Sequence, residues 1–135
     1  MSKVILKRCP IKRVKESDIQ RNIVSWFRTQ YPKYYRLLFH VPNGVKLPSR
    51  INGAFFKRQG MTSGVADLIL LKQSGDKMYG FLALELKTRK GKQTTNQREW
   101  EKDITAYSGG KYNVARSVEE GISIIKAYIG EKSES

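Results

Sequence analysis

Two apolar runs constrain this chain more than anything else in it: VADLILL at 65–71 and YGFLALELK at 79–87, joined by KQSGDKM. Both read as β-strands, and the Ser-Gly-Asp between them marks a hairpin turn. Asp67 breaks the pattern of the first run, standing among Val65, Ala66, Leu68, Ile69, Leu70 and Leu71. A lone carboxylate on a buried strand is costly unless it is paired or holds a metal. What Asp67 faces therefore bears directly on what the domain does.

Strand alternation supplies an answer. In FLALELK, Phe81, Ala83, Glu85 and Lys87 point to one face, and Leu82, Leu84 and Leu86 to the other. If the two strands pair antiparallel, Asp67 near the start of one lies beside Glu85 near the end of its partner. Two carboxylates and an ammonium then share one patch of sheet. Close carboxylates repel, so one takes up a proton unless a cation intervenes. Carboxylate oxygens are the ligands Mg²⁺ uses, and that ion keeps several waters. A neighbouring lysine can position or activate such a water against a phosphodiester. A structural ion pair between Lys87 and either Asp67 or Glu85 is the plain alternative.

The rest of the 135 residues predicts one α/β domain. Residues 1–15 form a basic, weakly patterned arm and 131–135 a tail, leaving 16–130 as the domain. ESDIQRNIVSWFRTQYP carries Ile19, Ile23, Trp26 and Phe27 at helical spacing and ends before Pro32. YYRLLFHV predicts a short strand and PNG a turn, while 46–63 reads as a loop with a short helix around GAFFKRQ. TTNQREWEKDITAYSGG predicts a helix capped by Thr94 or Thr95, with Trp100, Ile104 and Tyr107 on one face and Gly109 as its stop. KYNVAR is a strand, and SVEEGISIIKAYIG a last helix opened by a Ser117-x-x-Glu120 capping box. The order is α-β-β-β-α-β-α, a mixed sheet flanked by helices.

Charge points to the partner. Lys and Arg number 26 against 12 Asp and Glu, a formal net charge of +14. Such an excess on a small domain fits a polyanion, with nucleic acid first and an anionic membrane surface second. No stretch is apolar enough to span a bilayer, and MSKVILKRCPIKRVK lacks the apolar core of a signal peptide, so the expected location is cytoplasmic. The single Cys9 excludes an intramolecular disulfide and a cysteine-built zinc site within one chain, and reads as inert. Lys46, Arg50, Lys57 and Arg58 precede the Asp67 strand, and Arg89, Lys90 and Lys92 follow Lys87. As a set they make a nucleic-acid track around the site; singly, each reads as a solvated surface charge.

Asp67 followed by ELK at 85–87 resembles the PD-(D/E)xK nuclease signature, with Ala66 in place of the proline. The wider pattern is similar to the VRR-NUC branch of that superfamily. Glu16 and Gln20 resemble its ExxxQ, FHVPNG its fHxPNG, QGMTSGVADLILL its GxxxGxPDLxL, and LELKTRKGKQTTNQ its xElKxxxGxxsxxQ. The motifs occur in order over roughly residues 16–125. The resemblance implies a restriction-endonuclease-like core and Mg²⁺-dependent endonuclease activity on DNA, with Mn²⁺ substituting. It implies Asp67 and Glu85 as metal ligands, with the Leu86 carbonyl a third. Lys87 is then the catalytic lysine, Glu16 the additional acidic residue, and Gln20 and Gln97 line the site. Small stand-alone members, some phage-encoded, are often homodimers acting on branched DNA such as four-way junctions. Junction cleavage is thus the leading expectation and nicking or flap cleavage the next. A non-catalytic basic binding module is the rival of a different class.

Several of these residues have plainer readings. Ser17-x-x-Gln20 and Thr94-x-x-Gln97 are capping boxes, so either glutamine can simply close a helix start. Gln97 also lies one turn before Trp100 on the inward stripe, which favours a role at the site. Glu16 can be a solvated charge that the helix dipole welcomes, and Asp18 takes its place if the helix is rotated. His40 lines the site or sits half-buried with a satisfied hydrogen bond. Asn43 belongs to the turn first and to the site second.

Overall fold

In the computed structural model, the described residues are 13–42 and 53–131. Cys9, Asn43, Lys46 and Arg50 lie outside them. Helix α1 spans Glu16–Gln30, α2 Gly53–Arg58, α3 Thr95–Tyr107 and α4 Val118–Ile129; the strands are β1 Leu38–His40, β2 Leu68–Leu70, β3 Leu82–Leu86 and β4 Lys111–Ala115. The strands form one sheet in the order β1-β2-β3-β4. β1 and β2 are antiparallel, β2 and β3 antiparallel, and β3 and β4 parallel. The parallel pair needs a crossover, and α3 supplies it. The expected mixed sheet with flanking helices is therefore present, and α2 coincides with the short helix predicted around GAFFKRQ.

The alternation of β3 sorts the interior into two halves. Leu82, Leu84 and Leu86 join Leu38, Leu68, Leu70 and Ala115 beneath Ile19, Ile23 and Phe27 of α1 and Ile125 and Tyr128 of α4. Ile19, Ile23 and Phe27 recur every fourth residue, so one stripe of α1 is buried while its outer face stays polar. α4 comes close to α1 because Gly121 has no side chain: a Cβ there would lie 2.4 Å from Ile23 Cδ1. The opposite face carries only a small cluster of Ala66, Ile69 and Ala83, covered by Val41, Phe81, Trp100 and Tyr112.

Three local expectations are corrected. YYRLLFHV is a strand only at 38–40, because Pro32 opens a 3₁₀ helix over Pro32–Leu37. Tyr31, the residue before it, is held by packing, its ring lying 5.3 Å from Phe27, 5.7 Å from Trp26 and 6.3 Å from Tyr34 of the 3₁₀ helix. Helix α1 begins two residues earlier than Ser17-x-x-Gln20 requires. Its N-cap is Lys15, whose backbone N–H donates to Asp18 Oδ2 at 3.3 Å. Tyr107, expected on the inner face of α3, is 87% exposed because it falls in the last turn, beyond the edge of the sheet's cover. The cap of α3 is Thr94, which accepts from the Gln97 N–H at 3.2 Å. Among the described residues, no helix is long and apolar enough to cross a membrane.

Candidate functional site

Register brings the carboxylates together. Leu68 pairs with Leu84 across β2 and β3, so Asp67, one residue earlier, falls opposite Glu85. Asp67 does not extend the ladder; its Oδ2 accepts instead from the Leu86 N–H at 2.8 Å. Its backbone carbonyl accepts from the Val41 N–H at 3.0 Å and lies 2.8 Å from His40 Nδ1. The residue before it, Ala66, is fully buried. A proline there would supply no ligand, so its absence leaves the site's donor set intact.

Glu85 is 1% exposed. Its Oε1 accepts from Gln97 Nε2 at 2.9 Å and stands 3.8 Å from Lys87 Nζ. No donor of the described residues reaches its Oε2. Desolvation pushes the Glu85 carboxyl up to about 8, helped by the nearby charge of Asp67. Lys87 opposes that rise, and Glu16 adds to it. A buried oxygen of this kind, beside a second carboxylate, is satisfied by a proton or by a cation. Lys87 is also buried, and its backbone N–H donates to the Ala115 carbonyl at 3.0 Å, fixing the chain as it leaves β3.

Gln97 serves two ends at once. Its Oε1 accepts from the Thr94 N–H at 2.9 Å, completing the capping box, while its Nε2 donates to Glu85. Closing the helix start does not keep this residue from contacting Glu85. Its position depends on Gly64, which has φ +85°; a Cβ there would lie 2.3 Å from the Asn96 carbonyl oxygen. Only glycine lets the segment leading to Asp67 run against the first turn of α3.

The other predicted residues are more spread out. Glu16 is the first residue of α1 and exposed, but its charge reaches Glu85. Asp18 is engaged elsewhere, pairing with Arg21 at 3.1 Å. Gln20 and His40 line one groove between α1 and β1. Lys57 and Arg58 end α2, and Arg89, Lys90 and Lys92 occupy the loop after β3; all five are exposed.

Two features escaped sequence reasoning. Tyr112 on β4 shares the face of Ala83, its register partner, and its hydroxyl accepts from Gln93 Nε2 at 3.1 Å. Gln93 also reaches Glu101 Oε2 at 3.4 Å. Burial, with the nearby charges of Glu85, Glu101 and Asp67, raises the Tyr112 phenol above its ordinary range. Alternation along KYNVAR was the available signal. The second is Arg116, whose Nη1 donates to the carbonyls of Thr88 at 2.9 Å and Gly91 at 2.6 Å, pinning the loop that carries Arg89 and Lys90. Nothing local in the sequence marks that contact.

No group of three or more His, Cys, Asp or Glu side chains is placed to hold a metal among the described residues. The two carboxylates nevertheless fit a hard divalent cation: both offer oxygen, the donor such ions prefer, and Glu85 Oε2 has no protein donor to displace. No curated protein matches the chain. A solved structure described as a VRR_NUC domain protein superposes with a TM-score of 0.72 at 28% identity, covering 87% of this chain and 90% of its own. The VRR-NUC domain family matches residues 14–119, from the start of α1 into α4 and across every residue of the carboxylate site. The chain belongs to the VRR-NUC family of nucleases.

Proposed function

We propose that this protein is a Mg²⁺-dependent endonuclease, with Mn²⁺ substituting, that hydrolyses DNA phosphodiester bonds and prefers branched substrates such as four-way junctions. The observation that carries the proposal is the buried Glu85 carboxyl facing Asp67, with Oε2 left without a protein donor and Lys87 beside Oε1. Asp67, Glu85, the Leu86 carbonyl and Glu16 would hold the cation. Bound there, it supplies Lewis-acid polarisation of the phosphate and acidification of a water.

The chain's own groups do the positioning. Gln97 holds Glu85 Oε1, and the Leu86 N–H holds Asp67 Oδ2, so both carboxylates are fixed before substrate arrives. Lys87, largely withdrawn from solvent, orients the attacking water and stabilises the charge that builds on the phosphate. Lys57, Arg58, Arg89, Lys90 and Lys92 neutralise flanking phosphates, with Lys46 and Arg50 in the same role. Inline attack leaves a 5′-phosphate and a 3′-hydroxyl, as the family resemblance implies. A homodimer would present two such sites to strands of opposite polarity, which suits a four-way junction; nicking or flap cleavage uses the same site once.

The test is cleavage of four-way, flap, duplex and single-stranded DNA with and without Mg²⁺. The expected result is Mg²⁺-dependent cutting, greatest on branched DNA, which Asp67→Asn or Glu85→Gln abolishes while binding persists. Cleavage that survives both substitutions contradicts the site. Binding with no cleavage of any substrate favours a non-catalytic binding module.

A further inference from the structure

We propose that His40 is a positioning residue for the carboxylate site: its ring holds the Asp67 backbone and so sets the Asp67 carboxylate. This rests on the nuclease reading above and adds a residue that shapes the cation site without contacting the cation. His40 is the last residue of β1, and its register partner is Leu68, the residue after Asp67. Its Nδ1 lies 2.8 Å from the Asp67 carbonyl oxygen. A carbonyl only accepts, so Nδ1 carries the proton and donates it. The Val41 N–H donates to the same oxygen at 3.0 Å, so both lone pairs of that carbonyl are engaged.

Asp67 is thus held from two sides. On one side β3 fixes its carboxylate, the Leu86 N–H donating to Oδ2 at 2.8 Å. On the other, Val41 and His40 fix its peptide. That second side is the weaker one, because β1 is an edge strand of three residues and short pairings fray at their ends. The imidazole adds a bond at the end where fraying begins, on the residue whose placement the site depends on. A turn of the Asp67 peptide would swing its carboxylate away from Glu85 opposite. Outer partners of this kind orient the ligands of metal sites, and losing one costs about 10–100-fold in metal affinity or activity. Burial does not account for the residue, since His40 is exposed at the wall of the groove between α1 and β1. Nε2, on the far side of the ring, plays no part in the contact with Asp67. A histidine serving DNA from the groove would use that nitrogen, so the two roles engage different atoms and can be separated.

The experiment compares three substitutions in the full chain. His40→Phe keeps a flat ring without either nitrogen. His40→Asn leaves an amide N–H near the place of Nδ1, and His40→Gln leaves one near the place of Nε2. Each protein is titrated with Mn²⁺ alone, free ion being read by electron paramagnetic resonance, and the binding counted is the part that Glu85→Gln abolishes. Each is also melted in EDTA and assayed for kcat and KM on a four-way junction. His40→Phe is expected to bind Mn²⁺ about tenfold more weakly and to lose about tenfold in kcat, with KM for DNA within about twofold of wild type. His40→Asn recovers both to within about threefold, and His40→Gln recovers neither. The metal-free Tm of all three stays within about 2 °C of wild type, as for other exposed positions. Mn²⁺ affinity that ignores His40→Phe overturns the proposal, as does a wild type that binds no Mn²⁺. Rescue by His40→Gln instead of His40→Asn, with KM as the parameter that moves, assigns the ring to DNA and overturns it too. A metal-free Tm that falls in step with Mn²⁺ affinity reduces His40 to a fold-stabilising residue, again against the proposal. A chain whose Mn²⁺ binding follows His40 as expected yet cuts nothing overturns the nuclease reading alone.

Discussion

The two faces of the sheet are built on opposite principles. Beneath α1 and α4, leucine, isoleucine and phenylalanine fill the space, and the described side chains there are almost wholly apolar. Beneath α3, alanine replaces leucine at Ala66 and Ala83, and the room gained is taken by Glu85, Lys87 and the Gln97 amide. One face supplies the stability that lets the other bury a carboxyl against its preference. The contrast makes a clear claim: lesions on the first face unfold the protein, and lesions on the second change its chemistry with less effect on the fold.

The largest stability effect is expected from Phe27→Ala, which removes a fully buried ring of α1 packed against Tyr31. It should cost about 3–5 kcal/mol in denaturant unfolding, with cleavage by the remaining folded fraction unchanged. Lys87→Met is the mirror image. Single-turnover cleavage should fall by about 10²–10³, the usual loss for one stabilising donor, while the unfolding midpoint holds or rises because a buried ammonium has been removed. If Lys87→Met unfolds the chain while cleavage per folded molecule persists, the division of labour between the faces fails. Gly64→Ala lies on the boundary. The strain of φ +85° and the clash with Asn96 should cost on the order of 1–3 kcal/mol. Cleavage should fall further than stability explains, since Gln97 is displaced from Glu85. The smallest effect belongs to Arg116→Ala, an exposed residue that positions the Arg89–Lys90 loop. About 1 kcal/mol should appear as a raised KM for DNA with kcat nearly unchanged; an equal fall in kcat would place Arg116 closer to the chemistry than its contacts do.

The two faces were also unequally legible in the sequence. The apolar one followed from periodicity, because Ile19, Ile23 and Phe27 on α1 and Leu82, Leu84 and Leu86 on β3 leave no other way to bury their surface. The same alternation put Asp67 and Glu85 side by side, since a hairpin register with one buried face tolerates no slip of one residue. Where two local signals overlapped, the sequence could not arbitrate. Ser17 and Lys15 compete for the cap of α1, and the outcome turns on Asp18 reaching back to the Lys15 N–H. Pro32 turns the chain into a 3₁₀ helix because Tyr31 packs on Trp26 and Phe27, contacts that strand propensity ignores. Tyr112 with Gln93, and Arg116 with Thr88, join segments distant along the chain, so no spacing rule announces them.

The central claim is that Glu85 is buried at a cost which a bound cation removes. Its folded value of about 8, against an ordinary 4.5, means the folded chain keeps a proton that the unfolded chain has lost between those pH values. Metal-free stability should therefore fall as pH rises from about 4.5 towards 8. The neutral side chain of Glu85→Gln is free of this penalty. Thermal unfolding of the two proteins across that range, with and without Mn²⁺, measures the claim directly. Without metal, Glu85→Gln should melt above wild type, by about 1–3 kcal/mol near pH 8, the gap closing towards acid pH. Saturating Mn²⁺ should raise the wild-type Tm by several degrees, as ligand linkage requires, and leave the variant nearly unmoved. A wild-type Tm that ignores Mn²⁺, or a shift equal in both proteins, would contradict the account.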